Sequence, residues 1–203
     1  MKKTILWGLL VVCSWAMHVS RVVAAGDPEA GKKKFYTCEG CHGVAGYMNV
    51  YPSYHVPRLG GQQPGYVVTA LKAYQAGQRK HGSMSGASAT MSDQDMQDIA
   101  AFVSKFRGLN NDLPVTGNAA AGKEKAAACA SCHGENGISR DPSFPTLAGQ
   151  YESYLIKALQ DYKAGVRSNP LMNGFAAALS EDDMKDLASY YASQKRGLTL
   201  PLD

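Results

Sequence analysis

The chain has 203 residues, 45% hydrophobic and 19% charged, enough for one large domain or two small ones with a core each. Its formal charge is +4 at pH 7, from 21 Lys and Arg against 17 Asp and Glu. Lys2, Lys3 and Arg21 fall in the segment from Met1 to Ala25, so the remainder carries 18 basic and 17 acidic side chains, a net +1, and nothing in it suggests the clustered basic face that nucleic-acid binding needs.

The segment from Met1 to Ala25 differs from the rest. Lys2 and Lys3 precede an apolar run from Ile5 to Val12, and Val23-Ala24-Ala25 sets small residues before Gly26. This is the order of a cleaved secretory signal. The apolar run is short of the ~20 residues that span a bilayer. Val12 is too bulky for the position before a lipoprotein cysteine at Cys13. Cleavage after Ala25 is expected.

Helical signals follow. Asp27-Pro28-Glu29 opens a first helix with a capping side chain, a proline and an acid, and that helix runs into Cys38. Pro64 opens a second through Ala76, stopped by Gly77. A third starts at Ser92, with Asp93 and Asp95 at its positive end and Met96, Ile99, Ala100 and Val103 on one face. Residues 108–118, broken by Pro114 and Gly117, read as a linker. The pattern then recurs, with Ser180 opening a helix whose apolar stripe is Met184, Leu187, Ala188 and Tyr191. Alternating strand patterns are absent, so the expected fold is all-α.

The recurrence is an internal repeat. Gly31-Lys32 and Cys38 to Gly43 match Gly122-Lys123 and Cys129 to Gly134 at a shift of 91. After a somewhat shorter loop in the second copy, the shift is 88. Pro57, Leu59, Gly61 and Gln62 then match Pro145, Leu147, Gly149 and Gln150, and Tyr66, Tyr74, Arg79 and Met84 match Tyr154, Tyr162, Arg167 and Met172. Two tandem domains are expected, 26–107 and 119–203, each a small helical unit around a cofactor.

Four cysteines remain after the signal: Cys38 with Cys41, and Cys129 with Cys132. An even count in an exported chain would ordinarily mean disulfides. Here His42 and His133 follow directly, and Cys-x-x-Cys-His is the attachment signature of c-type haem, in which both thiols add to haem vinyl groups and the histidine reaches the iron. A thioredoxin-like pair belongs beside a strand-helix-strand pattern that this chain lacks. A structural zinc site drawing on both pairs conflicts with a repeat that gives each domain its own centre.

For the sixth iron position, methionine suits electron transfer. Met84 and Met172 occupy matched, Gly-containing segments read as irregular, at similar distances along the chain after their histidines. Met96 and Met184 lie on apolar helix faces and fit the core. Met91 is matched by Leu179, while Met48, His55 and His81 occur in the first copy alone. Pro57 and Pro145 are placed to accept the free ring N–H of the histidines. Arg79 and Arg167, with Tyr66, Tyr74, Tyr154 and Tyr162, are candidates for haem propionates, core packing or solvent. Lys32 to Lys34 read as a solvated face.

Taken together, the paired Cys-x-x-Cys-His motifs, the Pro-x-Leu-x-Gly-Gln stretches, the Tyr/Leu/Tyr helix with its Gly-x-Arg and the paired methionines resemble the cytochrome c4 family of two-haem bacterial cytochromes, across essentially the whole chain after the signal. The resemblance implies two cytochrome-c folds about a pseudo-twofold axis, two covalent haem c groups and a periplasmic electron carrier. It further implies a quinol-oxidising complex or dehydrogenase as donor and a terminal oxidase as acceptor. The chain departs from the pattern in a tyrosine-rich insertion from Tyr47 to His55, and in Ala126 where the first copy has Phe35. Two other readings stay open: a tightly bound electron-transfer subunit of a dehydrogenase, and a haem redox enzyme, which needs an iron position that both domains here fill with methionine.

Overall fold

The computed structural model describes residues 25–109 and 114–202. The expected signal segment apart from Ala25, residues 110–113 of the expected linker, and Asp203 lie outside the described residues. Among the described residues no helix is long and apolar enough to cross a membrane.

Asp27 caps α1 (Pro28–His42): its carboxylate accepts from the backbone N–H of Glu29 and Ala30, while Pro28 removes one N–H that has no helical partner. The helix continues past Cys38 through Cys41 to His42. The tyrosine-rich insertion forms a small hairpin, β1 (Met48–Asn49) with β2 (Tyr54–His55). α2 (Pro64–Gln75) ends before Gly77, whose φ of +70° only glycine adopts readily. Then come α3 (Gly82–Ser88) and α4 (Asp93–Ser104), the latter opened by a capping box in which Ser92 and Asp95 bond each other's backbone N–H.

The second half repeats this order. β3 (Gly108–Leu109) leads out of the first, and α5 (Ala119–Lys125), a 3₁₀ turn (Ala126–Cys129) and α6 (Ala130–His133) together replace α1. α7 (Glu152–Lys163), α8 (Pro170–Ala177) and α9 (Glu181–Ala192) correspond to α2, α3 and α4, and β4 (Arg196–Gly197) pairs back with β3. Among the described residues the fold is all-α apart from these two short ladders and two isolated bridges.

Two cores result, one per copy. The first gathers Phe35, Leu71, Met96, Ile99, Phe102 and Val103; the second Leu155, Leu187, Tyr190 and Tyr191 with Ala126. The aromatic volume that Phe35 supplies from α1 comes in the second copy from α9, where Tyr191 stands in the position of Val103. Met96 and Met184 are fully buried, as their apolar faces require.

In each copy the first and last helices cross at a glycine. A Cβ on Gly31 would lie 1.9 Å from the carbonyl oxygen of Asp98, and one on Gly122 would lie 1.9 Å from that of Asp186. Beside each crossing an ion pair joins the same helices. Lys34 meets Asp95 at 2.7 Å and the buried Asp98 at 2.5 Å; Lys125 meets Asp183 and Asp186, both at 2.7 Å. Lys34 is therefore a link between α1 and α4, which corrects the expectation of a merely solvated lysine face.

The hydrogen bonds from Lys34 and Ser92 hold the Asp95 carboxyl down at about 2, and Asp98 is lowered despite its burial because Lys34, the Asp27 N–H and Gln94 all bond it. A depressed carboxylate contributes stability above its unfolded value of ~3.9 and loses it as pH falls through the folded value. The urea midpoint is expected to drop as pH falls from about 4 towards about 2. Asp95→Asn should flatten that decline; an unchanged acid profile would show that the pair contributes nothing.

The copies face each other through matched loops. Gln62 bonds both backbone groups of Thr146, and Gln150 both backbone groups of Arg58. Arg58 also donates to the Gly149 carbonyl and lies 4.1 Å over the Tyr151 ring. The hairpin and the residues leading into it add contacts: the His55 backbone N–H donates to Ser153 Oγ, the His55 ring stacks on Tyr151, and Gly46 N–H donates to the Tyr151 hydroxyl. The tail crosses over as well, pairing Thr199 with Gly60.

Candidate functional site

The last turn of α1 carries Cys38, Cys41 and His42, and the i, i+3 spacing sets the two thiols on one face. The same turn in the second copy carries Cys129, Cys132 and His133. All four thiols are free, and burial pushes those of Cys38 and Cys129 up. Among the described residues no three His, Cys, Asp or Glu side chains form a metal-holding group, so the zinc reading has no ligand set there.

Both histidines are buried, 7% exposed each. His42 Nδ1 lies 2.9 Å from the Pro57 carbonyl oxygen, and His133 Nδ1 lies 2.9 Å from that of Pro145. A carbonyl can only accept, so Nδ1 carries the proton in both rings and Nε2 keeps its lone pair. Burial lowers the pKa of both, which favours the neutral, ligating form.

Met84 and Met172 lie on α3 and α8, two short helices, and this corrects the expectation of irregular segments. Local capping overrides the glycine-rich composition. The His81 ring accepts from the Met84 N–H at 3.3 Å, and Asn169 Oδ1 accepts from the Met172 N–H at 3.1 Å. Side chains of the preceding helix secure the segment beyond: Gln75 donates to the Ser88, Ala89 and Met91 carbonyls, and Lys163 to that of Leu179.

Met84 and Cys38 pack against the same first core, whereas Met172 is half-buried and stands outside the second cluster. The one-copy candidates have other work. His81 caps α3 and bonds Asn49 at 3.1 Å, His55 is held at the interface by Ser153, and Met48 is exposed in the hairpin.

At the interface Arg79 and Arg167 form a β-bridge with each other, both 8% exposed. Arg79 donates to Tyr154 Oη at 2.5 Å and Tyr66 Oη at 3.4 Å, and Arg167 donates to Tyr66 Oη at 2.5 Å. Each guanidinium also lies 4.5 Å over a ring, Tyr74 and Tyr162 respectively. Burial resists ionisation of Tyr66, yet the two cations outweigh it and draw its phenol down to about 8.

Two buried cations that face each other and, among the described residues, meet phenols and no carboxylate form a cradle for anionic oxygen, since buried charges are ordinarily paired. Apolar surface flanks the motifs as well: Val44 after His42, Ile138 after His133, and Leu171 and Phe175 on one side of α8 around Met172 are all exposed. A haem, an apolar ring with two carboxylate arms, matches both features.

A cytochrome c family model matches residues 28–106 and again 119–195. The class follows: two cytochrome c domains in tandem, carrying two covalently bound haem c groups. The chain is 43% identical over 189 residues to cytochrome c4 of Stutzerimonas stutzeri, covering 82% of this chain and 89% of that one. It belongs to the cytochrome c4 family and is a di-haem electron carrier. The crystal structure of reduced recombinant cytochrome c4 from Pseudomonas stutzeri superposes with a TM-score of 0.68 at 34% identity, over 84% of this chain and 100% of that one. A thiosulfate dehydrogenase electron acceptor of Thiomonas intermedia is 29% identical over 208 residues, 96% of this chain and 92% of that one.

The arginines and tyrosines of the interface were visible as matched candidates, but Arg58 carried no recognised local signal. Gln62 and Gln150 stood out as a matched pair, but neither showed from spacing that it reaches into the other copy.

Proposed function

We propose that this protein is a periplasmic carrier of single electrons in a respiratory chain. Domains 26–107 and 119–203 each hold one haem, attached through Cys38 and Cys41 in the first and through Cys129 and Cys132 in the second. His42 and Met84 would ligate one haem iron, and His133 and Met172 the other. The carrying observation is that each buried histidine ends the turn bearing the thiols, gives its Nδ1–H to a proline carbonyl, and thereby offers Nε2.

The haem supplies the one-electron chemistry. The chain fixes the ligand tautomer, excludes water with the two cores and presents cations to the propionates. Four ionised propionates bring the net charge from +1 to about −3, so docking to a quinol-oxidising complex or dehydrogenase as donor, and to a terminal oxidase as acceptor, should be small in area and weakened by salt. The Thiomonas intermedia relative, a thiosulfate dehydrogenase electron acceptor by name, favours a second reading in which a dehydrogenase binds the chain as its electron-accepting subunit.

Met84→Ala and Met172→Ala test the ligand set. Each is expected to remove half of the methionine-to-iron charge-transfer band and to let one haem of the two bind carbon monoxide. A variant that keeps the full band would overturn that methionine's assignment. Carbon monoxide binding by the unsubstituted protein would favour an enzyme over a carrier.

A further inference from the structure

The carbonyls that hold the two histidines belong to peptide groups, and a peptide is one conjugated unit with the following N–H at its other end. For Pro57 that N–H is Arg58's; for Pro145 it is Thr146's. Neither bonds within its own domain. Thr146 N–H donates to Oε1 of Gln62 at 2.8 Å, and Arg58 N–H donates to Oε1 of Gln150 at 2.9 Å.

The same side chains return a second bond, Gln62 Nε2 to the Thr146 carbonyl and Gln150 Nε2 to the Arg58 carbonyl, both at 3.0 Å. Backbone donors and acceptors have fixed roles, so these pairs set the orientation of both amides. Each Oε1 is steadied by a local N–H too, that of Gln63 at 2.8 Å or Tyr151 at 3.1 Å. Gln62 and Gln150 are 5% and 3% exposed, leaving little water to compete.

We infer that each glutamine is a positioning residue for the iron-binding histidine of the opposite domain: Gln62 acts on His133 through the Pro145–Thr146 peptide, and Gln150 acts on His42 through the Pro57–Arg58 peptide. This rests on the proposal that His42 and His133 are iron ligands. Hydrogen bonds in series polarise one another. A peptide whose N–H is engaged by Oε1 is a stronger acceptor at its carbonyl. A stronger acceptor on Nδ1–H makes Nε2 a better donor to iron and favours the ferric state. Domain docking therefore sets the potential of each iron with a side chain from its neighbour.

The experiment uses the full-length, haem-loaded, reduced protein with ¹⁵N-labelled histidine. Nuclear magnetic resonance follows the two Nδ1–H signals, and a potentiometric titration follows each haem. Gln62→Met should move the His133 signal upfield and leave that of His42 in place. At fixed ambient potential it should lower the oxidised-to-reduced ratio of the second-domain haem about two- to fivefold, the scale of weakening one hydrogen bond. Gln150→Met should give the mirror result.

Gln62→Glu keeps an acceptor oxygen and adds charge to it, so it should move the His133 signal downfield, opposite to the methionine variant; it carries the test if the methionine variant does not assemble. Shifts confined to the substituted domain, equal shifts of both histidines, or none would overturn the relay and leave the glutamines as clamps alone. Failure of the ligand proposal is separate. It would show in the unsubstituted protein, where His42 or His133 would lack the ring-current shift of a haem-bound imidazole.

Discussion

Gly31→Ala is expected to cost on the order of 3 kcal/mol of stability in the first domain, or to stop its maturation altogether. The added methyl would sit 1.9 Å from the Asp98 carbonyl oxygen and 2.8 Å from the Phe102 Cβ. The nearest obstacle is backbone, so no rotamer change relieves it, and separating the helices would also stretch Lys34 from Asp95 and Asp98. Gly122→Ala should do the same to the second domain against Asp186 and Tyr190. Gly40, on the same α1, is the control: a Cβ there meets nothing within 4 Å, and the matched position holds Ser131. Gly40→Ala should gain about 0.5–1 kcal/mol, because glycine inside a helix gives up more chain entropy than alanine. Denaturant midpoints of the loaded protein decide it. Equal midpoints for Gly31→Ala and Gly40→Ala would mean that the helices do not cross this closely.

The contrast between those glycines marks what the sequence could and could not disclose. Caps such as Asp27 and Ser92 with Asp95 were legible because donor and acceptor are close neighbours along the chain. The histidine-proline bonds were legible because the repeat showed both partners twice. Gly31 was visible as a matched glycine, but its reason is a carbonyl on another helix. Lys34 was hidden among three lysines, and its partners lie on α4, with α2 and α3 in between.

The methionine segments misled for a different reason. Their glycine and serine content argues against helix, and His81 is an unusual cap, although Asn169 before Pro170 was a recognisable one. The interface lay furthest out of reach. A repeat shows that two units are alike but carries no statement of which surface each presents, so the roles of Arg58, Gln62 and Gln150 came only with the structure.

Arg79→Met is expected to destabilise the loaded protein by about 2–5 kcal/mol, and the size decides what the cradle holds. Arg79 and Arg167 are like charges in a buried bridge, and among the described residues neither reaches a carboxylate within ion-pair distance. If nothing anionic enters the cradle, relief of the repulsion offsets the loss of the Arg79 hydrogen bonds to Tyr154 and Tyr66, and stability should change by about 1 kcal/mol or less. If propionates bind there, the same substitution strips a buried carboxylate of its partner and stability falls. Arg79→Met also takes one guanidinium and its hydrogen bond away from Tyr66, so the phenol should rise from about 8. Unfolding of Arg79→Met and Arg167→Met beside the parent therefore asks directly what the two guanidinium groups hold. A fall of about 2–5 kcal/mol in both variants places the carboxylate arms of the haems at the contact between domains, where the same residues that join the domains also neutralise the cofactors.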